Sequence, residues 1–176
     1  MSGLQDGSGL TIAGADPAGR EWRRTGGAEA VQSPLLRDLM ALWRQRLGPG
    51  GELPGRAAFG ARELMAFQGI ISLLTVDHEP LRLRYRLIGT HVTQTLGRDS
   101  TGRMLDEVYP ADLIPMILET YTQCIRSRAP VSTTGQLKHV IKDYLPFESV
   151  DLPLASDGHH VDMILKGTVI QGGSLA

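Results

Sequence analysis

The strongest two-residue alternation in the chain lies at residues 81–88, where Leu81, Leu83, Tyr85 and Leu87 alternate with Arg82, Arg84 and Arg86. Successive side chains of a strand point to opposite faces, so this pattern predicts an antiparallel strand with one buried face and one wet face. A β-rich run at 70–76 precedes it, and Asp77, His78, Glu79 and Pro80 between the two supply turn chemistry. The pair reads as a hairpin.

A different period governs residues 34–47. Leu36, Leu39, Met40, Trp43 and Leu47 recur at three- and four-residue steps and form one apolar stripe, while Arg37, Arg44 and Arg46 lie mostly off it. Ser33 is a good N-cap, Pro34 suits the first helical position, and Gly48-Pro49-Gly50-Gly51 ends the helix. A loop-like stretch at 53–59 follows, then a short helix at 61–67. A second short helix is predicted over 89–97, stopped by Gly97, with a loop at 98–107. The longest helix spans 112–128, with Ile114, Ile117, Leu118, Tyr121, Cys124 and Ile125 on one face. Pro115 confines its start to the preceding turn, and Asp112 is the natural cap.

Three strands are predicted after it, at 131–137, 144–154 and 161–170. Pro146 and Pro153 place the ends of the middle one at edges or bulges, and Asp157-Gly158 is a hairpin turn between the last two. Two early and three late strands make one five-stranded antiparallel sheet, and the helices between them must cover its apolar face. The predicted class is α+β, with an extra N-terminal helix at 34–47 in a domain over 33–172. Residues 1–32, rich in Gly, Ala and Ser, read as a flexible tail, or as a docking segment around Glu21-Trp22-Arg23-Arg24.

Composition removes several function classes. The formal net charge of −1 gives no basic excess, so no nucleic-acid partner is expected. Cys124 is the lone cysteine; it can form neither an internal disulfide nor a cysteine-rich zinc site, and a reducing compartment fits. No apolar run approaches the roughly 20 residues of a membrane span. The N-terminus lacks the apolar core of a signal peptide, so the expected location is cytoplasmic.

Four short motifs go further than topology. Leu53-Pro54-Gly55-Arg56 follows the Trp-bearing helix, and Tyr85-Arg86-Leu87-Ile88-Gly89-Thr90 ends the second strand. Gly97-Arg98-Asp99-Ser100-Thr101-Gly102 follows the short helix, and Leu152-Pro153-Leu154-Ala155-Ser156-Asp157-Gly158 forms the last hairpin. In this order, over about residues 35–170, they resemble the stand-alone bacterial PAS-like family, a PAS domain of unknown role. The resemblance implies a curved sheet with a cavity between its concave face and the helices, and dimerisation through the helix N-terminal to the core. It implies no catalytic activity. Leu36, Met40, Trp43 and Leu47 then become dimer-helix candidates, although the same stripe could pack on its own sheet.

Ligand-pocket candidates are Tyr85, Leu87, His91, Leu96, Ile117, Tyr121, Met163 and Leu165; Tyr85, Tyr121 and Met104 could equally be plain core. His91 is the best polar candidate, and Arg98 with Asp99 could hold an anion or simply brace their glycine-flanked loop. His159 and His160 are adjacent and cannot chelate together from a strand. PAS domains that bind haem carry a His on the long helix, and 112–128 has none. The cysteine motif of photoactive flavin relatives is also missing. Neither cofactor is expected, and no metal site or catalytic residue is assigned. The chain lacks phosphate-loop, nucleophile-elbow and metalloprotease patterns. The expected role is a single-domain sensory or regulatory module, not an enzyme, that acts through a protein partner or a second copy of itself, with a small apolar ligand as a further expected partner. The rival reading is a small helix-on-sheet enzyme, thioesterase- or isomerase-like, using His91 with Asp99 or Asp112.

Overall fold

The computed structural model describes residues 11–13, 23–137 and 145–171. Strands β1 (Thr11–Ala13) and β2 (Arg23–Gly26) precede helix α1 (Pro34–Arg44) and the short helix α2 (Ala61–Met65). Strands β3 (Ile71–His78) and β4 (Leu81–Ile88) follow, then helices α3 (Thr90–Leu96), α4 (Leu105–Val108) and α5 (Ile114–Ser127). Strands β5 (Val131–Leu137), β6 (Leu145–Leu154) and β7 (Met163–Ile170) end the fold. The class is α+β, as the alternation and stripe patterns predict.

All strands join one antiparallel sheet in the order β1-β2-β5-β6-β7-β3-β4. The five predicted strands form its body, with the earliest of them, β3, beside the last, β7. The sheet has two strands more than predicted. Arg23–Gly26 pairs with β5 through Thr25↔Thr133 and its neighbours, and Thr11–Ala13 pairs with β2. These segments fall within residues 1–32, where composition predicts a tail. A strand that adds to an existing edge draws on backbone hydrogen bonds and needs few apolar side chains, so composition does not report it. Trp22 and residues 138–144, including the predicted first residue of β6, Tyr144, lie outside the described residues.

Both faces of the sheet are covered, where the sequence predicts helices on one. The four-residue stripe of α1 packs on the outer face: Leu36, Leu39, Met40 and Trp43 are all buried. A Cβ on Gly167 would lie 2.7 Å from both Leu36 and Leu39 side chains, so glycine lets the helix approach β7 this closely. Trp43 Nε1 donates to the Pro153 carbonyl at 2.9 Å, and Glu148 accepts from the first backbone N–H groups before the helix. This spends the stripe on the chain's own sheet. Leu36, Met40 and Trp43 are therefore not a free dimer seam; of the four dimer-helix candidates only Leu47, at 37% exposure, reaches solvent. The helix also ends three residues earlier than predicted, at Arg44, and residues 45–47 continue as a tight turn.

The other face is covered by α3, α4 and α5. Arg128 stops α5 with φ 53°, and its guanidinium donates to the carbonyls of Gly158 and His159. Pro146 and Pro153 each lie one residue inside the ends of β6, consistent with their inability to donate to a ladder. The loops carrying the four motifs meet in pairs. Leu53 N–H donates to Gly158, and Ala155 N–H to Pro54, each at 2.9–3.0 Å. Gly102 N–H donates to Tyr85, whose own N–H donates to Arg103.

Candidate functional site

Between the inner face of the sheet and α3–α5 lies a cavity of about 80 Å³. That is several times the ~10–15 Å³ that a single water requires. Ser72, Tyr85 and Ile88 line it from β3 and β4, Phe147 from β6, and Lys166, Thr168 and Ile170 from β7. Val92, Arg98, Ser100, Val108, Tyr109, Ile117 and Tyr121 close it from the helices and the loop at 97–103.

The sheet register decides which side chains reach this space. Directly opposed residues share a face, and Ser72, Lys166 and Asp151 stand in one row across β3, β7 and β6. Lys166 Nζ lies 2.9 and 3.2 Å from the two Asp151 carboxylate oxygens and 3.3 Å from Ser149 Oγ. It also sits 5.4 Å above the Tyr121 ring. Asp151 is fully buried and Lys166 only 14% exposed, so each charge depends on the other. The pair is net neutral, and the ammonium has three acceptor oxygens within 3.3 Å.

Hydroxyls supply the rest of the polarity. Tyr85 and Tyr109 Oη lie 3.4 Å apart, and burial, with the Tyr109 and Tyr121 rings beside it, pushes the Tyr85 phenol well above its ordinary range. At neutral pH it is a neutral phenol, able to donate or accept. Arg98 stands over the Tyr109 ring at 5.7 Å. Its loop is rigidly placed: Gly97 closes α3 at φ 67°, Asp99 accepts from Thr101 N–H at 2.9 Å, and Gly102 is bonded to β4. The hydrogen bonds from Thr101 hold the Asp99 carboxyl below its usual range, so its charge is committed to the loop.

Of the eight pocket candidates, Tyr85, Ile117 and Tyr121 line the cavity. Leu87 does not. A bulge between Leu73 and Leu74 sets Leu73 opposite Leu87 and Leu74 opposite Tyr85, leaving Arg86 as the extra residue. The alternation breaks there, Leu87 turns to the outer face at 46% exposure, and Ile88 takes its place inside. Met163 and Leu165 also fall on the outer face, because it is the even-numbered residues of β7 that point inward. Leu165 and Leu87 instead border an outer groove of about 230 Å³ with Leu64, Met65 and Leu73. His91 is buried, its backbone N–H bonded to Gly69, and the cavity is lined by its neighbour Val92. The Leu96 side chain lies outside the described ones. Neither Asp99 nor Asp112 shares a hydrogen bond or ion pair with His91 among the described residues, so the enzyme pairing is not assembled.

Sequence reasoning missed Lys166, Asp151, Tyr109 and Phe147. One signal was present. An aspartate and a lysine stood in apolar strands flanking one hairpin. A two-residue turn at Asp157-Gly158 would set Asp151 opposite Ile164. The observed connection, residues 155–162, sets it opposite Lys166.

A family profile described as "PAS domain" matches residues 31–169. The chain belongs to the PAS domain family. Among solved structures, it is similar to a point-substituted PAS-B domain of the Drosophila melanogaster Cycle protein with bound glycerol, at 15% identity and a TM-score of 0.43. That match covers 57% of this chain and 98% of the other. No curated protein matches the chain. The matched residues take in α1 and run into β7, while β1 and β2 lie before them. As a PAS domain the chain is in general a sensory or regulatory module. No helix among the described residues is long and apolar enough to cross a membrane.

Proposed function

We propose that this PAS domain is a regulator that takes a small molecule into the cavity under α5 and signals its occupancy to a protein partner. The observation that carries this reading is the lining itself: an apolar wall of Ile88, Val92, Val108, Ile117, Phe147 and Ile170 interrupted by convergent hydroxyls and two cations. Binding sites combine an apolar surface with a few placed polar groups in this way, whereas a filled core has no need of them.

The proposed output surface is the outer face. Met65 and Leu87, at 63% and 46% exposure, are the most exposed of the large apolar side chains described. Inner and outer faces alternate residue by residue along β7, so a ligand that shifts Lys166 or Thr168 acts on the strand that also carries Leu165. A ligand moves such an equilibrium only through its differential affinity for two states. Native mass spectrometry of the purified protein tests the reading. A retained small molecule, lost on Ile117→Trp substitution, supports it. A ligand-free protein whose cavity residues show no response to a metabolite library overturns it.

A further inference from the structure

We infer that the cavity selects a monocarboxylate with a short apolar body, its carboxylate at Arg98 and Tyr109 and its body against Ile88, Val92 and Ile170. The inference rests on the ligand-sensing reading and adds the chemical class.

The charges around the cavity do not balance. Two cations line the cavity, Arg98 and Lys166. Lys166 is cancelled by Asp151, and its ammonium donates to the Asp151 carboxylate and to Ser149 Oγ. Arg98 is different. Among the described residues its guanidinium enters no ion pair, and its recorded partner is the face of Tyr109. The adjacent carboxylate, Asp99, is turned into its own loop toward Thr101. Arg98 is therefore a cation already held over an aromatic ring, with its planar donor fork uncommitted. That fork matches a carboxylate in two parallel hydrogen bonds. The tyrosine hydroxyls add neutral donors.

One uncancelled positive charge at the mouth favours a monoanion over a molecule charged at both ends, since a second negative charge on the buried end would be desolvated without a counter-ion. The position of the charge sets the orientation. Arg98 is exposed, whereas Tyr85, Ile117 and Phe147 are buried, so the charged end sits at the mouth and the apolar end inside. The modest volume limits the body to a few carbons or a single ring.

The test uses the full chain, isotope-labelled for amide NMR, titrated with benzoate and butyrate and with benzamide and butyramide. The amides keep the shape and remove the charge. Each carboxylate should bind at least tenfold tighter than its amide at low salt, with shifts centred on residues 92, 98–109 and 166–170. Arg98→Gln should reduce that preference to below threefold, and Arg98→Lys should restore part of it. The thermal midpoints of both variants show that they are folded. Amides that bind as tightly as the acids overturn this inference and leave the ligand-sensing reading standing, as does a preference that survives in Arg98→Gln. If none of the four probes shifts the lining resonances, the monocarboxylate inference falls, and the ligand-sensing reading stands or falls on native mass spectrometry and the metabolite library.

Discussion

Lys166 and Asp151 face each other across the β6–β7 ladder, and the ammonium bonds both oxygens of a carboxylate that no water reaches. Removing one partner strands the other. Lys166→Met should cost about 3–5 kcal/mol, whereas Lys166→Met combined with Asp151→Leu should recover most of that loss. Urea denaturation of the two single variants and the double variant measures the coupling. Additive losses would show that the two charges are independent.

Glu148 reaches from β6 to the start of α1, accepting the Gln32 and Ser33 N–H groups at 2.6 and 2.8 Å. A carboxylate there satisfies donors that a helix start leaves open and complements the helix dipole. Glu148→Ala should destabilise by about 1.5–3 kcal/mol, and Glu148→Gln by less. Hydrogen exchange should speed up in residues 31–40 in Glu148→Ala and stay slow in α5.

Glycine is required at 89 by contact and at 97 by dihedral angle. A Cβ on Gly89 would lie 2.4 Å from the Gly69 carbonyl oxygen and 2.9 Å from that of Gln68. Both are backbone atoms and cannot swing aside. Gly97, at φ 67°, has open space around it. Gly89→Ala should cost about 2–3 kcal/mol by overpacking, and Gly97→Ala about 1–2 kcal/mol by the left-handed backbone alone. Thermal unfolding ranks the two, and equal losses would contradict this reading.

Asp157 is the acid-sensitive point of the β6–β7 hairpin. The His160 side chain, then the His160 and His159 backbone N–H groups, hold its carboxyl far below the ordinary 3.8. A depressed folded-state value means stability that is fully present above the unfolded value of about 3.9 and is lost as pH falls through the lower one. Carboxyl NMR should show Asp157 still ionised at pH 3. Asp157→Asn should flatten the stability profile below pH 4.

Cys124 is buried on α5, its thiol donating to the Asp151 carbonyl at 3.5 Å. Burial, and next the Asp151 charge, raise the thiol well above its ordinary range. The thiolate is the reactive form, so iodoacetamide should label the native protein slowly and the urea-unfolded protein at the normal rate. Fast native labelling would mean that α5 opens.

Local patterns carried much of this. The helix stripe at Leu36–Trp43, the hairpin alternation at Leu81–Tyr85 and the α5 face at Ile117–Cys124 were legible because each depends on a period that neighbouring residues share. Tyr85, Ile117 and Tyr121, named as pocket candidates, lie on those faces and line the cavity.

By itself, then, the sequence determined the α+β class, the order of the elements from α1 to β7 apart from α4, and which face of α1 and of α5 is apolar, since these are properties of short segments. Tertiary structure alone decided what each face meets. It placed the Trp43 stripe on the chain's own sheet, and it added β1 and β2 to an edge through backbone bonds that leave no side-chain signature. It turned Leu87 outward with one bulge, and it paired Asp151 with Lys166 through the length of a loop. Each of these rests on a register between distant segments. A shift of one residue in such a register reverses every side chain beyond it, while the local pattern stays the same.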